Sequence, residues 1–202
     1  MVFPEGEAEV SEATNAAQPQ LDETVRNESV RAAAAEHASK HTRLLRSARD
    51  GKWLSAIMLP LFLLRPPSGF GVIETTGRKT RKTRRKCVRA IRRGNKVYLV
   101  QLRPPEVALR NPAALSGWVL NIRADPRVKL RIRGGTFPGV ARELSDSSEL
   151  AEAREAFCET VHLFDYGECD VHLRGFPTRA KITELHRYWF DTGVPLVVEL
   201  NG

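Results

Sequence analysis

Apolar and polar residues alternate along several short runs of the chain, which is the pattern of β-strands with one buried face. Residues 128–133 alternate strictly, and Gly134-Gly135 predicts a turn from them into a partner strand over 137–144. Four more β-prone runs are predicted as strands, at 70–75, 87–92, 96–102 and 194–200. Short turns join most neighbours in this series, so a mainly antiparallel sheet is predicted.

Other segments repeat their apolar residues at helical spacing. Helices are predicted over 28–48, over 117–124 after the N-cap candidate Ser116, from the capping pair Asp146 and Glu149 to about 164, and over 181–190. Residues 104–116 and 165–179 are predicted as loops. About six strands with helices before, within and after them predict an α+β fold or a small β-barrel rather than a parallel βαβ sheet.

The first sixty-six residues fall into two parts. Residues 1–27 are acidic and poor in large apolar side chains, so we predict a disordered arm. Residues 28–66 are predicted to form an N-terminal helical segment, and residues 67–202 the barrel domain. The apolar run 53–64 is shorter than the roughly twenty residues that span a bilayer. It is therefore either part of the core or an anchor at the membrane surface, with basic residues on both sides.

Composition indicates a globular protein with an anionic partner. Of the 202 residues, 42% are hydrophobic and 28% charged, and the net charge is +8. Three cysteines and the lack of a signal-peptide pattern predict a reduced, cytoplasmic protein. No metal site is predicted, since Cys158, His162, Cys169 and His172 are spaced more tightly than in structural zinc fingers, and a lone pair such as His37 and His41 is weak evidence.

The most informative stretch is a turn that leads into a basic run. Ten of the sixteen residues from 78 to 93 are Arg or Lys, directly after Thr75-Thr76-Gly77. Glycine allows a tight turn that aims backbone amides at an anion, and hydroxyl, guanidinium and ammonium groups add donors. Three interpretations are open: a polyanion site, a solvated charged surface, or an arm that binds nucleic acid or an anionic membrane without catalysis. Nucleic acid is disfavoured because no aromatic residues interleave with the cations.

Three segments together resemble a known family. They are Glu74-Thr75-Thr76-Gly77-Arg78-Lys79-Thr80, the stretch from Trp118-Val119-Leu120-Asn121 to Asp125-Pro126-Arg127-Val128, and Val194-Pro195-Leu196-Val197-Val198. In order and spacing they resemble the deazaflavin-dependent nitroreductases, a family of split β-barrels related to FMN-binding oxidoreductases. The chain departs from the family pattern at Arg81, where glycine is usual, and at residues 101–106, where a small-residue loop is usual.

The resemblance implies an enzyme that uses the deazaflavin coenzyme F-420 in preference to FMN. It implies that Arg78, Lys79 and Arg84 hold the phosphate and carboxylates of the coenzyme's phospholactyl-oligoglutamate tail. Thr75, Thr76 and Gly77 would shape the turn, Trp118 would support the pocket, and Asn121 would either contact the coenzyme or tie down the neighbouring loop.

The implied reaction is hydride transfer from the reduced coenzyme to a small-molecule electron acceptor of the quinone, nitro or enone type. Tyr166 and Tyr188 are the candidate proton donors, because they are phenols in the C-terminal part that closes such pockets. A homodimer is expected, as is common among split barrels.

Overall fold

The computed structural model describes residues 7–42 and 47–201, with the side chains of all of these except residues 7–22 and 48. The helices of this part are α1 (Glu7–Ala38), α2 (Ala48–Leu64), α3 (Pro105–Arg110), α4 (Gly117–Ala124), α5 (Ser147–Glu159), α6 (Leu163–His172) and α7 (Arg179–Thr192). The strands are β1 (Phe70–Thr76), β2 (Thr83–Arg89), β3 (Ile91–Arg93), β4 (Lys96–Gln101), β5 (Arg127–Ile132), β6 (Gly135–Glu143) and β7 (Val194–Leu200).

The strands form one antiparallel sheet in the order β2-β1-β5-β6-β7-β4-β3. Its two edge strands, β2 and β3, are separated in sequence by Ala90 alone. They therefore form one bent strand that pairs with β1 along its first part and with β4 along its second, which brings the two edges of the sheet together. The fold is an α+β split β-barrel built from six strands, one of them bent, as predicted.

Strands β4 and β7 are buried on both faces. Val97 and Leu99 point into the barrel, where they meet Leu196 and Val198, whereas Tyr98 lies in a second core. This second core lies between the outer face of the sheet and helices α1, α5, α6 and α7. Burial on both faces explains why these two strands are almost continuously apolar in sequence, while β5, with one solvated face, alternates.

A smaller apolar cluster holds α2 against the start of β1. Phe62 of α2 packs on Phe70 and on Phe164 of α6, with ring centroids 6.0 and 5.6 Å away. Ser47 caps the helix through a reciprocal pair of hydrogen bonds with Asp50, each bonding the other's backbone amide. The helix also contains Pro60, which contributes no amide hydrogen to the helical ladder.

Several predicted loops are helical in the structure. Residues 7–27, which we predicted to be disordered, lie in α1, and residues 1–6 are outside the described residues. The predicted loop at 104–116 contains α3, and the one at 165–179 contains most of α6. The helix predicted to reach residue 164 ends at Glu159. Each of these segments is short or weakly apolar in sequence, so its helicity depends on neighbours that the sequence pattern does not show.

Candidate functional site

One end of the barrel collects the termini of six strands. The sheet registers place the ends of β1, β4 and β6 beside the starts of β2, β5 and β7. Helix α4 closes this end, with Val119 and Ile122 inserted into the barrel core. We call this end the mouth; the basic turn, residues 77–82, projects from it between β1 and β2.

The basic turn is closed by its own backbone. The Gly77 amide donates to the Lys82 carbonyl at 2.9 Å, and the Arg81 amide donates to the Gly77 carbonyl at 2.7 Å. A Cβ atom on Gly77 would lie 3.0 Å from both the Lys82 carbonyl oxygen and Thr80 Oγ1. A side chain at position 77 would therefore force the tightly folded turn to shift by a few tenths of an ångström.

Asn121 of α4 ties the basic turn to the mouth. Its Oδ1 accepts from the Arg78 amide at 3.1 Å, and its Nδ2 donates to Thr75 Oγ1 at 3.1 Å. Asn121 and Thr75 are both buried. Of the two roles that the sequence left open for Asn121, the structure therefore shows the loop-tying one, and Thr75 shares it.

The predicted anion cradle of backbone amides is only partly present. The amides of Gly77, Arg78 and Arg81 are all used inside the turn or by Asn121. Thr75 is 3% exposed and its hydroxyl accepts from Asn121, while Thr76 is half-buried on the opposite face of β1. The groups of the turn that remain free to meet an anion are therefore mainly side chains.

Five exposed cations at the basic turn have no carboxylate partner among the described residues. Arg78, Lys79, Arg81 and Lys82 are exposed, and the guanidinium of Arg84 reaches only Thr80 Oγ1, at 3.4 Å. Nearby cations are instead paired with carboxylates: Arg85 with Glu74, Arg123 with Glu143, and Arg127 with Asp125. The hydrogen bonds from Arg127 also lower the pKa of Asp125. The unpaired charge of the mouth is thus concentrated on the turn.

Part of the second half of the basic run is built into the protein, and the rest bonds other groups of the chain. Lys86 donates to the Gly51 carbonyl, Arg93 to Thr160 Oγ1, and Arg92 to the Gly94 carbonyl. Arg89 is 3% exposed and pairs with buried Asp165 of α6. The predicted basic arm over 78–93 is therefore not one continuous exposed surface, because Arg89 is buried and Lys86 half-buried, although Arg92 and Arg93 are exposed. This interruption disfavours the non-catalytic nucleic-acid interpretation.

The loop that departs from the family pattern has a structural role that the sequence did not reveal. The side-chain oxygen of Gln101 accepts a hydrogen bond from the Ser116 amide, and its side-chain nitrogen donates to the Ala114 carbonyl. The buried guanidinium of Arg103 donates to the Ala114 and Thr192 carbonyls. These contacts fix the segment before α4. They therefore also help to fix half-buried Trp118, which lies in the first turn of that helix. The sequence did not predict this role of Gln101 and Arg103, because the adjacent Pro104-Pro105 pair indicates only an irregular segment or a helix start.

The structure does not bring the two candidate tyrosines to the basic turn. Tyr188 is 2% exposed under α1, where its hydroxyl donates to the Arg103 carbonyl at 3.2 Å and His37 stacks on its ring. Because this hydroxyl is buried and already bonded to a backbone carbonyl, Tyr188 does not fit the predicted role of proton donor. Burial also raises the pKa of this phenol. Tyr166 is exposed on α6, two residues after Phe164, which packs on Phe70. Because β1 rises about 3.3 Å per residue, the turn lies roughly 20 Å beyond Phe70.

Residues 66–167 match the family described as F420H(2)-dependent quinone reductase. This range is half of the chain and includes the basic turn and α4. The chain belongs to this family. Membership confirms the resemblance seen in the sequence, and it makes the protein an oxidoreductase whose cofactor is coenzyme F-420. The five unpaired cations fit the polyanionic tail of that coenzyme.

Solved structures similar to the chain share little sequence with it. One is an F420-H2 dependent reductase, FDR-A, at 18% identity, covering 65% of this chain and 95% of its own, with a TM-score of 0.41. Another, described as a domain-swapped dimer, has 17% identity, coverages of 73% and 98%, and a TM-score of 0.44. A putative pyridoxamine 5'-phosphate oxidase from Listeria innocua has 12% identity, coverages of 74% and 94%, and a TM-score of 0.38. A comparison with curated proteins returned no match.

Proposed function

We propose that this protein reduces a quinone, nitro or enone-type acceptor with reduced coenzyme F-420. The observation that carries the proposal is the group of five unpaired cations, four on the basic turn and Arg84 near the start of β2, in a chain of this family. Guanidinium and ammonium groups form charge-assisted hydrogen bonds with phosphate and carboxylate, each worth about 1.5–3 kcal/mol. Arg78, Lys79 and Arg84 would hold the phosphate and tail carboxylates.

The other residues of the mouth act by positioning. Asn121 and Thr75 hold the backbone of Arg78, so the guanidinium starts from a fixed point. Trp118 on α4 would form a wall of the coenzyme pocket. When bound, the reduced coenzyme would supply a hydride, and the acceptor would take up that hydride and one proton. Of the two candidate proton donors, Tyr188 is buried, whereas Tyr166 is exposed on α6 and stays a prediction.

Fluorescence titration with the coenzyme tests the cofactor part of the proposal. We expect the double variant Arg78→Ala/Lys79→Ala to bind intact coenzyme F-420 about 100-fold or more weakly, from two lost charge-assisted contacts. Binding of a deazaflavin without the phosphate and glutamate tail should change little. The control is Arg31→Ala/Arg174→Ala, which removes two exposed cations elsewhere and should bind like the wild type. Equal weakening by both double variants would contradict a specific tail site.

Single-turnover oxidation of the pre-reduced coenzyme tests the acceptor. Quinone, nitro and enone compounds should each be supplied in excess. The return of the absorbance of the oxidised coenzyme should be followed over time. A rate increase with at least one class is expected. Tight coenzyme binding without oxidation by any of the three would retain the cofactor site and remove the proposed acceptor classes.

Location and assembly are smaller parts of the proposal. The three cysteines are free thiols in the structure, which supports a reducing compartment such as the cytoplasm. The expected homodimer stays a prediction, and sedimentation equilibrium of the full chain checks it.

A further inference from the structure

Helix α2 exposes a row of apolar side chains. Trp53, Ile57, Leu61 and Leu64 are 69, 52, 50 and 80% exposed. They are spaced by four, four and three residues, which places them on one face of the helix. We call these four residues the α2 stripe. Solvent exposure of a Trp, an Ile and two Leu side chains in one row is unfavourable unless a partner covers them.

The opposite face of the same helix is firmly packed. Phe62 is 3% exposed, and Met58, Leu59 and Leu63 pack on the cluster that it forms with Phe70 and Val72. Lys86 Nζ donates to the Gly51 carbonyl near the start of the helix, and Ser55 Oγ accepts from the Cys87 amide. Because these contacts fix the rotation of α2, the stripe is a stable surface feature.

Cations surround the stripe. Arg49, Lys52 and Arg65 are exposed at the two ends of α2 and have no carboxylate partner among the described residues. Arg131 donates to the Leu64 carbonyl, and Arg133 to Ser68 Oγ, so two further guanidinium groups lie near the C-terminal end. The one acidic residue of α2, Asp50, is engaged in the helix cap.

The chemistry of this surface suits an anionic bilayer better than a second copy of the chain. A helix with an apolar face and flanking Lys and Arg lies in the plane of the membrane interface, where anionic headgroups neutralise its cations. A protein dimer instead requires about 800 Å² per partner, contributed by roughly 20–30 residues. Four side chains along about 17 Å of helix fall well below that area. Two such faces would also bring like charges together.

We propose that α2 docks the protein on the surface of an anionic phospholipid bilayer. The α2 stripe enters the boundary between headgroups and acyl chains, and Arg49, Lys52, Arg65 and Arg133 bind lipid phosphates. None of the described helices has the length and hydrophobicity to cross a membrane, so the contact is interfacial. The proposal does not depend on the proposed reaction, because it rests on a different face of the molecule.

Flotation of the full chain with vesicles tests the proposal. We expect the protein to float with vesicles of phosphatidylcholine containing phosphatidylglycerol, and to bind pure phosphatidylcholine much less. Substitution of the four stripe residues by Gln, a good helix former, should lower the partition coefficient at least about tenfold. The partition coefficient should also fall by about fivefold for each cation removed in the triple variant Arg49→Gln/Lys52→Gln/Arg65→Gln. Added salt should remove this difference between the triple variant and the wild type.

The matched control replaces exposed apolar residues away from α2. Leu163 and Phe176 are 89 and 90% exposed, and Leu163→Gln/Phe176→Gln should float like the wild type. Far-UV circular dichroism and coenzyme titration verify that each variant is folded. Equal flotation of the wild type and the stripe variant would overturn the proposal. A wild-type dimer that the stripe variant converts to monomer, without binding of the wild type to vesicles, would assign the stripe to a second copy instead.

Discussion

Arg81 adopts a left-handed backbone conformation, with φ at +56°, which is unusual for a residue with a side chain. It is the one non-glycine residue with positive φ in the described part of the chain. The conformation costs about 1–2 kcal/mol for an L residue, and glycine is usual here in the family that the sequence resembles. The chain therefore keeps a strained cation at the mouth of the barrel, where its charge adds to that of the turn.

Replacing Arg81 by glycine should stabilise the protein. We expect Arg81→Gly to raise the free energy of unfolding by roughly 0.5–1 kcal/mol, since relief of the strained backbone exceeds the added entropy of the unfolded chain. Urea denaturation measures the change. Arg81→Ala removes the same charge but keeps the strain, so it should not be stabilised. Equal stability of the two variants would show that charge, and not φ, controls the effect.

Removing the Asn121 amide should loosen the basic turn. In Asn121→Ala the Arg78 amide loses its acceptor and the buried Thr75 hydroxyl loses its donor, so we expect a loss of about 1–3 kcal/mol in unfolding free energy. Hydrogen exchange of the Arg78 amide should accelerate, and coenzyme affinity should fall with it. Unchanged exchange at Arg78 would show that the turn keeps its position without Asn121.

At the scale of elements, one carboxylate joins α5 to three strands. Glu149 accepts from Arg142 of β6 and Lys96 of β4, and Arg142 also bonds Glu199 of β7. Its own amide donates to Asp146, the N-cap of α5. Hydrogen bonds from Arg142 and Lys96 lower the pKa of Glu149 from 4.5 to about 2.

This network should make the docking of α5 sensitive to acid. The folded state favours ionised Glu149, so its contribution is complete above pH 4.5 and is lost as the pH falls toward about 2. At pH 7 we expect Glu149→Gln to be less stable than the wild type by about 1–2 kcal/mol, reduced by the exposure of its partners. Urea titrations at several pH values should show this gap closing between pH 4.5 and 2. A gap independent of pH would mean that packing, and not charge, carries the contribution.

At the scale of the whole molecule, the second core contains a buried histidine. His186 of α7 is 1% exposed, lies beside the Arg89–Asp165 pair, and has Nδ1 3.3 Å from the Cys158 carbonyl. Burial, and then the charge of Arg89, lower the pKa of His186 from 6.5 to about 3. The core therefore requires this imidazole to be neutral.

Global stability should consequently decline below pH 6.5. The unfolded chain protonates this histidine as the pH falls below 6.5, whereas the native state does not until about pH 3, so the wild type loses up to about 1.4 kcal/mol per pH unit from this residue. His186→Gln cannot take up that proton, so the stability difference between the wild type and the variant should shrink over this range. The neighbouring core variant Phe157→Leu serves as a non-titrating control and should keep the wild-type slope.

Local patterns in the sequence predicted the elements whose structure has a local cause. The predicted boundaries of α4 and β7, 117–124 and 194–200, match those in the structure. Strict alternation predicted both ends of β5 to within one residue. The basic turn was recognisable as the centre of the site because glycine, hydroxyl and cationic residues stand next to each other in the chain. Short-range spacing and side-chain chemistry are sufficient for such features.

Which cations are free was decided only by the tertiary structure. Arg78 and Arg89 look equivalent in sequence, but Arg89 meets Asp165, seventy-six residues away, and Arg78 meets no carboxylate. The burial of Tyr188 under α1 and the helicity of α6 likewise depend on segments distant in the chain. Ion pairing and burial depend on distances through space, which the closure of the barrel sets and residue spacing does not encode.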